Sequence, residues 1–141
     1  MKSPATPKSF VRTFPARREA MADALAFLDE TLEGNGCPLA LQTKLDVICD
    51  EICSNIVKHA HASVFELTVA FTPEPNGVRL VFADDGVAYD PLAHVDPDTT
   101  LSAEERPIGG LGILMVKRMA DAVAYERRQD RNFFTVFKAI A

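Results

Sequence analysis

The chain has 141 residues, of which 48% are hydrophobic and 25% charged, and its formal net charge is -5. This composition excludes a wholly disordered chain, and the length predicts one compact domain. The acidic balance argues against a nucleic-acid-binding face. No apolar run could span a bilayer and no secretory signal is visible, so we expect a cytoplasmic domain without a membrane partner.

In chain order, the polar, proline-containing residues 1–8 are expected to form a flexible N-terminal arm. Residues 9–141 are expected to form a single domain. Hydrophobic periodicity predicts a strand and then two helices, at Ser9–Phe14, Arg17–Glu33 and Pro38–Ala60. Val64–Thr72 alternates in strand fashion, and Asn76-Gly77 predicts the turn that leads into a second strand, Val78–Ala83.

A stretch without apolar periodicity, Asp84–Ile108, precedes a helix over Gly112–Asp121. A final hairpin is predicted from Ala122–Arg127 and Phe133–Ile140. Strands and three helices without regular βαβ alternation favour an α/β (α+β) two-layer sandwich. We expect a mixed, mostly antiparallel sheet covered on one face by the helices.

The three cysteines form no CxxC motif, which fits reduced thiols better than disulfides. Cys49 and Cys53 would share one helix face, where His59 or His61 could complete a metal site. Their place in an apolar stripe instead favours two buried core positions.

Three polar residues of the second predicted helix, Glu51, Asn55 and His59, are spaced i, i+4, i+8 along one edge of its apolar stripe. An asparagine oxygen suits Mg²⁺, and a glutamate can accept a proton from a nucleophile. A solvated polar rim is the simpler explanation of this helix taken alone.

Two later segments could also contact a ligand. Asp84 ends a strand before Gly86, and a carboxylate there could accept a hydrogen bond from the exocyclic amine of adenine. Gly109, Gly110 and Gly112 precede a helix, where free backbone N–H groups could face an anion. An ordinary Asp-Gly turn and a flexible hinge are the structural alternatives.

Together, the order and spacing of these segments resemble the Bergerat-fold ATPase superfamily, which includes gyrase, histidine kinases and MutL. Within it the chain is most similar to the small bacterial anti-sigma factor serine/threonine kinases. The likeness covers about residues 9–140. It is carried by Glu51-x-x-x-Asn55-x-x-x-His59-Ala60 (N box), Asp84-x-Gly86-x-x-Tyr89-Asp90-Pro91 (first glycine box), Gly109-Gly110-Leu111-Gly112 with Asp121 (second glycine box) and the hairpin Tyr125-Glu126-Arg127…Asn132-Phe133-Phe134-Thr135.

The resemblance implies ATP and Mg²⁺ as cofactors. Glu51 would be the catalytic base toward a protein Ser or Thr hydroxyl, and Asn55 the Mg²⁺ ligand. Asp84 would accept from the adenine amino group, Gly86 would leave room for the ring, and residues 92–108 would form a lid. The implied nucleotide-binding residues are Asn55, His59, Asp84, Gly86, Ala88, Gly109, Gly110, Leu111, Gly112 and Thr135.

Two positions depart from the family's usual residues. Tyr89 stands where phenylalanine is frequent. Asp85 stands where asparagine is frequent, and its charge would weaken phosphate binding if it pointed inward. No motif position is lost.

The family's biology implies a homodimer that sequesters a sigma factor and phosphorylates an anti-anti-sigma (STAS-type) antagonist. Two alternatives stay open: a non-catalytic nucleotide-binding partner switch, and a stand-alone histidine-kinase-type catalytic domain. The second is disfavoured because no histidine precedes the N-box helix. An ATP-driven machine such as gyrase would need further domains.

Overall fold

The computed structural model describes residues 8–93 and 111–140; for Leu111 it describes the backbone only. Within these ranges the chain forms five strands and three α-helices. In chain order they are β1 (Lys8–Pro15), α1 (Met21–Gly34), α2 (Leu39–Asn55), β2 (Val64–Pro73), β3 (Asn76–Asp84), α3 (Leu111–Met119), β4 (Ala122–Arg128) and β5 (Arg131–Ala139). Short 3-10 turns occupy Arg18–Ala20 and Pro91–Ala93, and a π-helical segment, Ile56–Ala60, continues α2.

The strands form one sheet in the order β1-β2-β3-β5-β4. All four strand pairs of the described chain are antiparallel, where we expected a mixed, mostly antiparallel sheet. The two-layer architecture of helices on a sheet is confirmed. In this order β3 is central and pairs with β5, so Asp84 at the end of β3 lies directly opposite Asn132 of β5.

The turn between β2 and β3 differs from the prediction. It consists of Glu74 and Pro75, and the predicted turn pair Asn76-Gly77 instead begins β3, with Gly77 opposite Thr72. The prediction of an Asn-Gly turn was therefore wrong. A side chain at position 77 would overlap the Phe137 ring on the adjacent strand, so close packing explains this glycine.

The final hairpin has the two-residue turn Gln129–Asp130, with φ values of 52° and 59°. Two successive positive φ values are typical of the type I′ turn, whose twist matches that of paired strands. The turn brings Asn132 and Arg127 into register as direct cross-strand partners.

The core lies between the helices and the inner face of the sheet. Alternate sheet residues point into it, among them Phe65, Leu67, Leu80, Phe82, Phe134 and Val136. From α2, Leu45, Ile48 and Ile52 pack against them, together with Cys49 and Cys53, which are buried as expected. The amphipathic stripes read from the sequence are the surfaces that this core buries.

A polar cluster interrupts the packing of α1 against α2. The buried Gln42 side chain donates through Nε2 to Asp29 Oδ1 and to Glu33 Oε1, both at 3.2 Å. Asp46 lies beside this pair, and its Oδ1 is buried with no hydrogen-bond partner. Desolvation, a hydrogen bond with Asp29 and the charges of Asp29 and Glu33 raise the pKa of Asp46 to about 7.

Candidate active site

A pocket opens between the C-terminal end of α2, the segment after β3, and strands β3, β4 and β5. Its walls are mainly apolar, and apart from two tyrosines its polar side chains are those of Asp84, Asn55 and Asn132. The lining residues are Ile52, Asn55, Ile56, Ala60, Phe82, Asp84, Tyr89, Pro91, Tyr125, Asn132 and Phe134. An apolar cleft with a few convergent polar groups is the usual form of a small-molecule site.

Asp84 is the buried carboxylate of this pocket, with 4% of its surface exposed. Its Oδ1 accepts hydrogen bonds from the Gly86 backbone N–H at 2.9 Å and from Asn132 Nδ2 at 3.0 Å. Among the described residues no hydrogen bond engages Oδ2. A carboxylate held in this way offers its second oxygen as an acceptor to a ligand N–H group.

Gly86 is required by a close backbone approach. A side chain at this position would overlap the backbone and Cβ of Ala60, the last residue of the π-helical segment. The next residue, Val87, donates its N–H to the Ala60 carbonyl at 2.7 Å. The loop after Asp84 is thereby fixed to the end of the helix that carries Asn55, which is a different reason for glycine than room for a ring.

Asn55 ends the α-helical part of α2 and lines the pocket, where its Nδ2 is buried without a hydrogen-bond partner. An unsatisfied buried amide is costly, so the side chain fits a site where a ligand completes its hydrogen bonds or where, after an amide flip, its oxygen binds a cation. Residues 8–93 and 111–140 hold no cluster of three His, Cys, Asp or Glu side chains suited to a metal. A Mg²⁺ bound through Asn55 would therefore need most of its ligands from phosphate oxygens and water, as this ion often does.

Glu51 lies one helical turn before Asn55, half-buried where α2 meets α3. A side chain at Gly112, in the first turn of α3, would overlap the Glu51 carboxylate. Desolvation raises the pKa of Glu51, Lys58 lowers it and Asp50 raises it. The net rise moves this carboxyl toward the range in which a general base is most effective.

His59 and Ala88 take rim positions. The His59 ring stacks on Tyr89 with centroids 5.0 Å apart and an interplanar angle of 16°. Tyr89 lines the pocket whereas His59 is exposed, so the imidazole supports a wall of the pocket from outside. Ala88 is also exposed and does not line the pocket.

The second glycine segment is described only in part. Gly109 and Gly110 lie outside the described residues, as do residues 94–108 of the expected lid and the side chain of Leu111. Gly112 is placed in the first turn of α3 beside Glu51. Pro91, which directly precedes the expected lid, lines the pocket.

The structure does not bring Thr135 to the pocket. Its neighbour Phe134 points inward, and because successive strand residues face opposite sides, Thr135 lies in a groove on the outer face of the sheet with Arg79 and Phe137. The expected adenine contact of Thr135 is therefore contradicted by strand alternation.

Asp85 also points away from the pocket. Its Oδ1 accepts from the backbone N–H groups of Ser63 (2.7 Å) and Val64 (3.2 Å), at the start of β2. The Val64 hydrogen bond is the main cause that lowers the pKa of Asp85. The carboxylate thus fixes a loop and does not add charge to the pocket.

The sequence assigned no role to Asn132, Tyr125 or Arg127, although all three belong to the quoted closing hairpin. Asn132 is 3% exposed and hydrogen-bonds both to Asp84 and to the segment after it. The sequence did contain a signal for Asn132. It is spaced two residues from Phe134, which is two residues from Val136, so all three face the inner side of one strand, and a carboxamide stands where a core residue is expected.

A family model, the histidine kinase-like ATPase domain, matches residues 14–138, which include every element that forms the pocket. The chain belongs to the histidine kinase-like ATPase domain family. It is 31% identical over 118 residues to the serine/threonine-protein kinase BtrW of Bordetella bronchiseptica, a match that covers 81% of this chain and 82% of BtrW. It is 30% identical over 84 residues to the serine-protein kinase RsbW of Bacillus cereus, covering 56% of this chain and about half (52%) of RsbW.

Two solved structures share the fold of this family member. The RsbU and RsbW domains of Rv1364c from Mycobacterium tuberculosis give a TM-score of 0.67 over 99% of this chain and 34% of that chain. A chain of the SiaB-SiaC complex from Pseudomonas aeruginosa gives 0.58 over 93% of this chain and 89% of that chain. Both are 16% identical in sequence, so the likeness concerns the fold.

No helix within the described ranges is long and apolar enough to span a membrane.

Proposed function

We propose that the protein is an ATP-dependent serine/threonine protein kinase of the anti-sigma type, which binds ATP in the pocket above Asp84. The observation that supports this most strongly is the arrangement of Asp84, a buried carboxylate with one oxygen engaged and the other facing an apolar pocket. Such a group favours a flat ring that carries an N–H donor, as the adenine 6-amino group does.

The triphosphate would extend from this pocket toward Glu51 and the start of α3. Asn55 would bind Mg²⁺ there, and the ion would offset phosphate charge. Gly110 and Gly112 would present backbone N–H groups to the phosphates, with Gly109 and Leu111 completing the same glycine segment. The proposed site thus relies on backbone dipoles and a metal, which fits a chain with an acidic net charge.

Glu51 is the proposed general base. It would take the proton of a Ser or Thr hydroxyl while that oxygen attacks the γ-phosphorus, the bond to the β-phosphate oxygen breaks and ADP leaves. The half-buried position of Glu51 and its raised pKa suit proton acceptance near neutral pH. The names of the relatives, serine-protein kinase RsbW and serine/threonine-protein kinase BtrW, support a protein hydroxyl as acceptor.

The proposed partners are a sigma factor, which the homodimer would sequester, and a STAS-type anti-anti-sigma protein, which it would phosphorylate. The kinship with the serine-protein kinase RsbW supports a protein as the phosphorylated partner.

The decisive test of the kinase proposal is phosphate transfer from γ-labelled ATP to STAS-domain proteins of the same genome. We expect label on a Ser or Thr of one of them, and a loss of at least about a hundredfold in rate for Glu51→Gln, since general-base catalysis contributes roughly 10²–10⁴-fold. Glu30→Gln, an exposed change on α1, is the matched control.

Transfer by Glu51→Gln at the parent rate would contradict the role of Glu51. ATP binding without transfer to any STAS protein would instead favour the non-catalytic switch, and label on a histidine would favour the histidine-kinase-type alternative.

A further inference from the structure

We propose that Asn132 is a positioning residue that sets the purine specificity of the pocket by fixing the orientation of Asp84. Its carboxamide joins the end of β3, the segment after it and the edge strand β4. This inference rests on the proposed function, because it concerns the nucleotide that the pocket selects.

The hydrogen-bonding capacity of the Asn132 side chain is fully used. Nδ2 donates to Asp84 Oδ1 at 3.0 Å and to the Val87 carbonyl at 2.7 Å. Oδ1 accepts from Tyr125 Oη at 2.5 Å and from the Tyr89 N–H and Arg127 Nη1, each at 3.2 Å. With only 3% of its surface exposed, this carboxamide sits in a buried and satisfied network, which is rigid.

The neighbours also determine which way the amide points. A backbone N–H and an arginine can only donate, so Tyr89 and Arg127 require an acceptor on their side of Asn132. The Val87 carbonyl can only accept, so it requires the nitrogen on the other side. The orientation that directs Nδ2 to Asp84 is therefore fixed by three neighbouring residues and is independent of any ligand.

Arg127 extends this support to the loop itself. Its Nη1 also donates to the Gly86 carbonyl at 2.8 Å, while Gly86 donates its N–H to Asp84. Asp84 Oδ1 is thus held by two groups that Arg127 contacts. This leaves Oδ2 as the carboxylate oxygen that is not engaged within the described chain.

The chemical consequence is selection at the purine 6-position. An ionised carboxylate only accepts hydrogen bonds, so Oδ2 favours a 6-amino purine and opposes a 6-oxo purine, whose carbonyl would face it unpaired. We expect the parent protein to bind ATP about ten- to a hundredfold more tightly than ITP, which differs at this position.

Asn132→Asp tests the role of the amide because it keeps the shape and removes both donors. Its second oxygen would face two acceptors, Asp84 Oδ1 and the Val87 carbonyl. The carboxylate pair would then rearrange or take up a proton, which turns one carboxyl into a donor. We expect weaker ATP binding, improved ITP binding and an ATP-to-ITP affinity ratio that falls at least fivefold, roughly the effect of one weakened hydrogen bond.

The measurement is isothermal titration calorimetry of Mg-ATP and Mg-ITP, with circular dichroism to verify folding. Asn76→Asp makes the same chemical change at an exposed position and should keep the parent ratio. Tyr125→Phe removes one of three donors to Asn132 Oδ1 and should lower the ratio by no more than about twofold. If Asn132→Asp does not fold, Arg127→Met, at an exposed position, should lower the ratio by at least about twofold.

An unchanged ratio in folded Asn132→Asp, or in Arg127→Met if that variant is needed, would overturn this inference and leave ATP binding intact. A parent protein that binds neither nucleotide would overturn the proposed function, and this inference with it.

Discussion

Two carboxylates of α2, Asp46 and Glu51, have raised pKa values, and desolvation is the largest cause for both. At Asp46 the neighbouring Asp29 and Glu33 add negative charge, so the raised pKa reflects an unfavourable environment for the ionised group. At Glu51 the cation Lys58 opposes the effect of burial. Desolvation therefore lowers the stability of the folded protein when Asp46 is ionised, and it suits Glu51 to proton transfer.

The raised pKa of Asp46 predicts that Asp46→Asn should stabilise the protein above neutral pH. Between the ordinary value of 3.8 and the folded-state pKa of about 7, the unfolded chain releases a proton that the folded protein retains. The parent consequently loses stability as pH rises through that window, and asparagine avoids this loss.

Because Asp46 is partly solvated, we expect an increase in melting temperature of only a few degrees at pH 8, shrinking to near zero by about pH 4. Thermal denaturation across this pH range measures it. Asp50→Asn, an exposed change on the same helix, should show no comparable trend. An equal shift for Asp46→Asn at all pH values would contradict the charge explanation.

At the scale of elements, the C-terminal end of α2 determines the shape of the pocket. The i, i+4, i+8 spacing predicted that Glu51, Asn55 and His59 would share one helix edge. The structure changes to a π-helical segment at Ile56, so His59 follows Asn55 in a wider turn than that of an α-helix. His59 stacks on Tyr89 at the rim of the pocket, and the Ala60 carbonyl accepts a hydrogen bond from the Val87 N–H.

The stack of His59 on Tyr89 supports one wall of the pocket. His59→Ala should weaken ATP binding by about two- to tenfold, because a ring pair worth roughly 0.5–1.5 kcal/mol no longer holds the Tyr89 wall. His59→Phe keeps a ring against Tyr89 and should restore most of the affinity. Titration calorimetry with Mg-ATP compares the three proteins, and equal affinities for His59→Ala and the parent would exclude a supporting role of the stack.

The elements themselves could be predicted because their signals are local. Helical and strand periodicity located the helices and strands to within a few residues. The Asn76-Gly77 turn was wrong because Gly77 packs within β3 against Phe137 of the adjacent strand β5, which lies 60 residues later in the sequence. The role of Asn132 depends on pairing with Asp84, 48 residues away, which no local pattern specifies.

At the scale of the whole molecule, the antiparallel sheet explains how these distant residues meet. The order β1-β2-β3-β5-β4 sets β3 against the final hairpin, so the buried carboxylate of Asp84 and the Asn132 side chain that donates to it belong to adjacent strands. The net charge of -5 places no restriction on an anionic ligand, since the proposed phosphate contacts are backbone N–H groups and Mg²⁺.

The central claim is that this sheet and α2 form an adenine nucleotide site in which Asp84 recognises the base. Titration calorimetry of Mg-ATP into the parent and into Asp84→Asn tests it most directly. We predict a Kd tighter than about 1 mM for the parent and binding at least about tenfold weaker for Asp84→Asn, since a hydrogen bond to a charged group is lost. No binding heat with the parent, or equal affinity in both proteins, would contradict the claim.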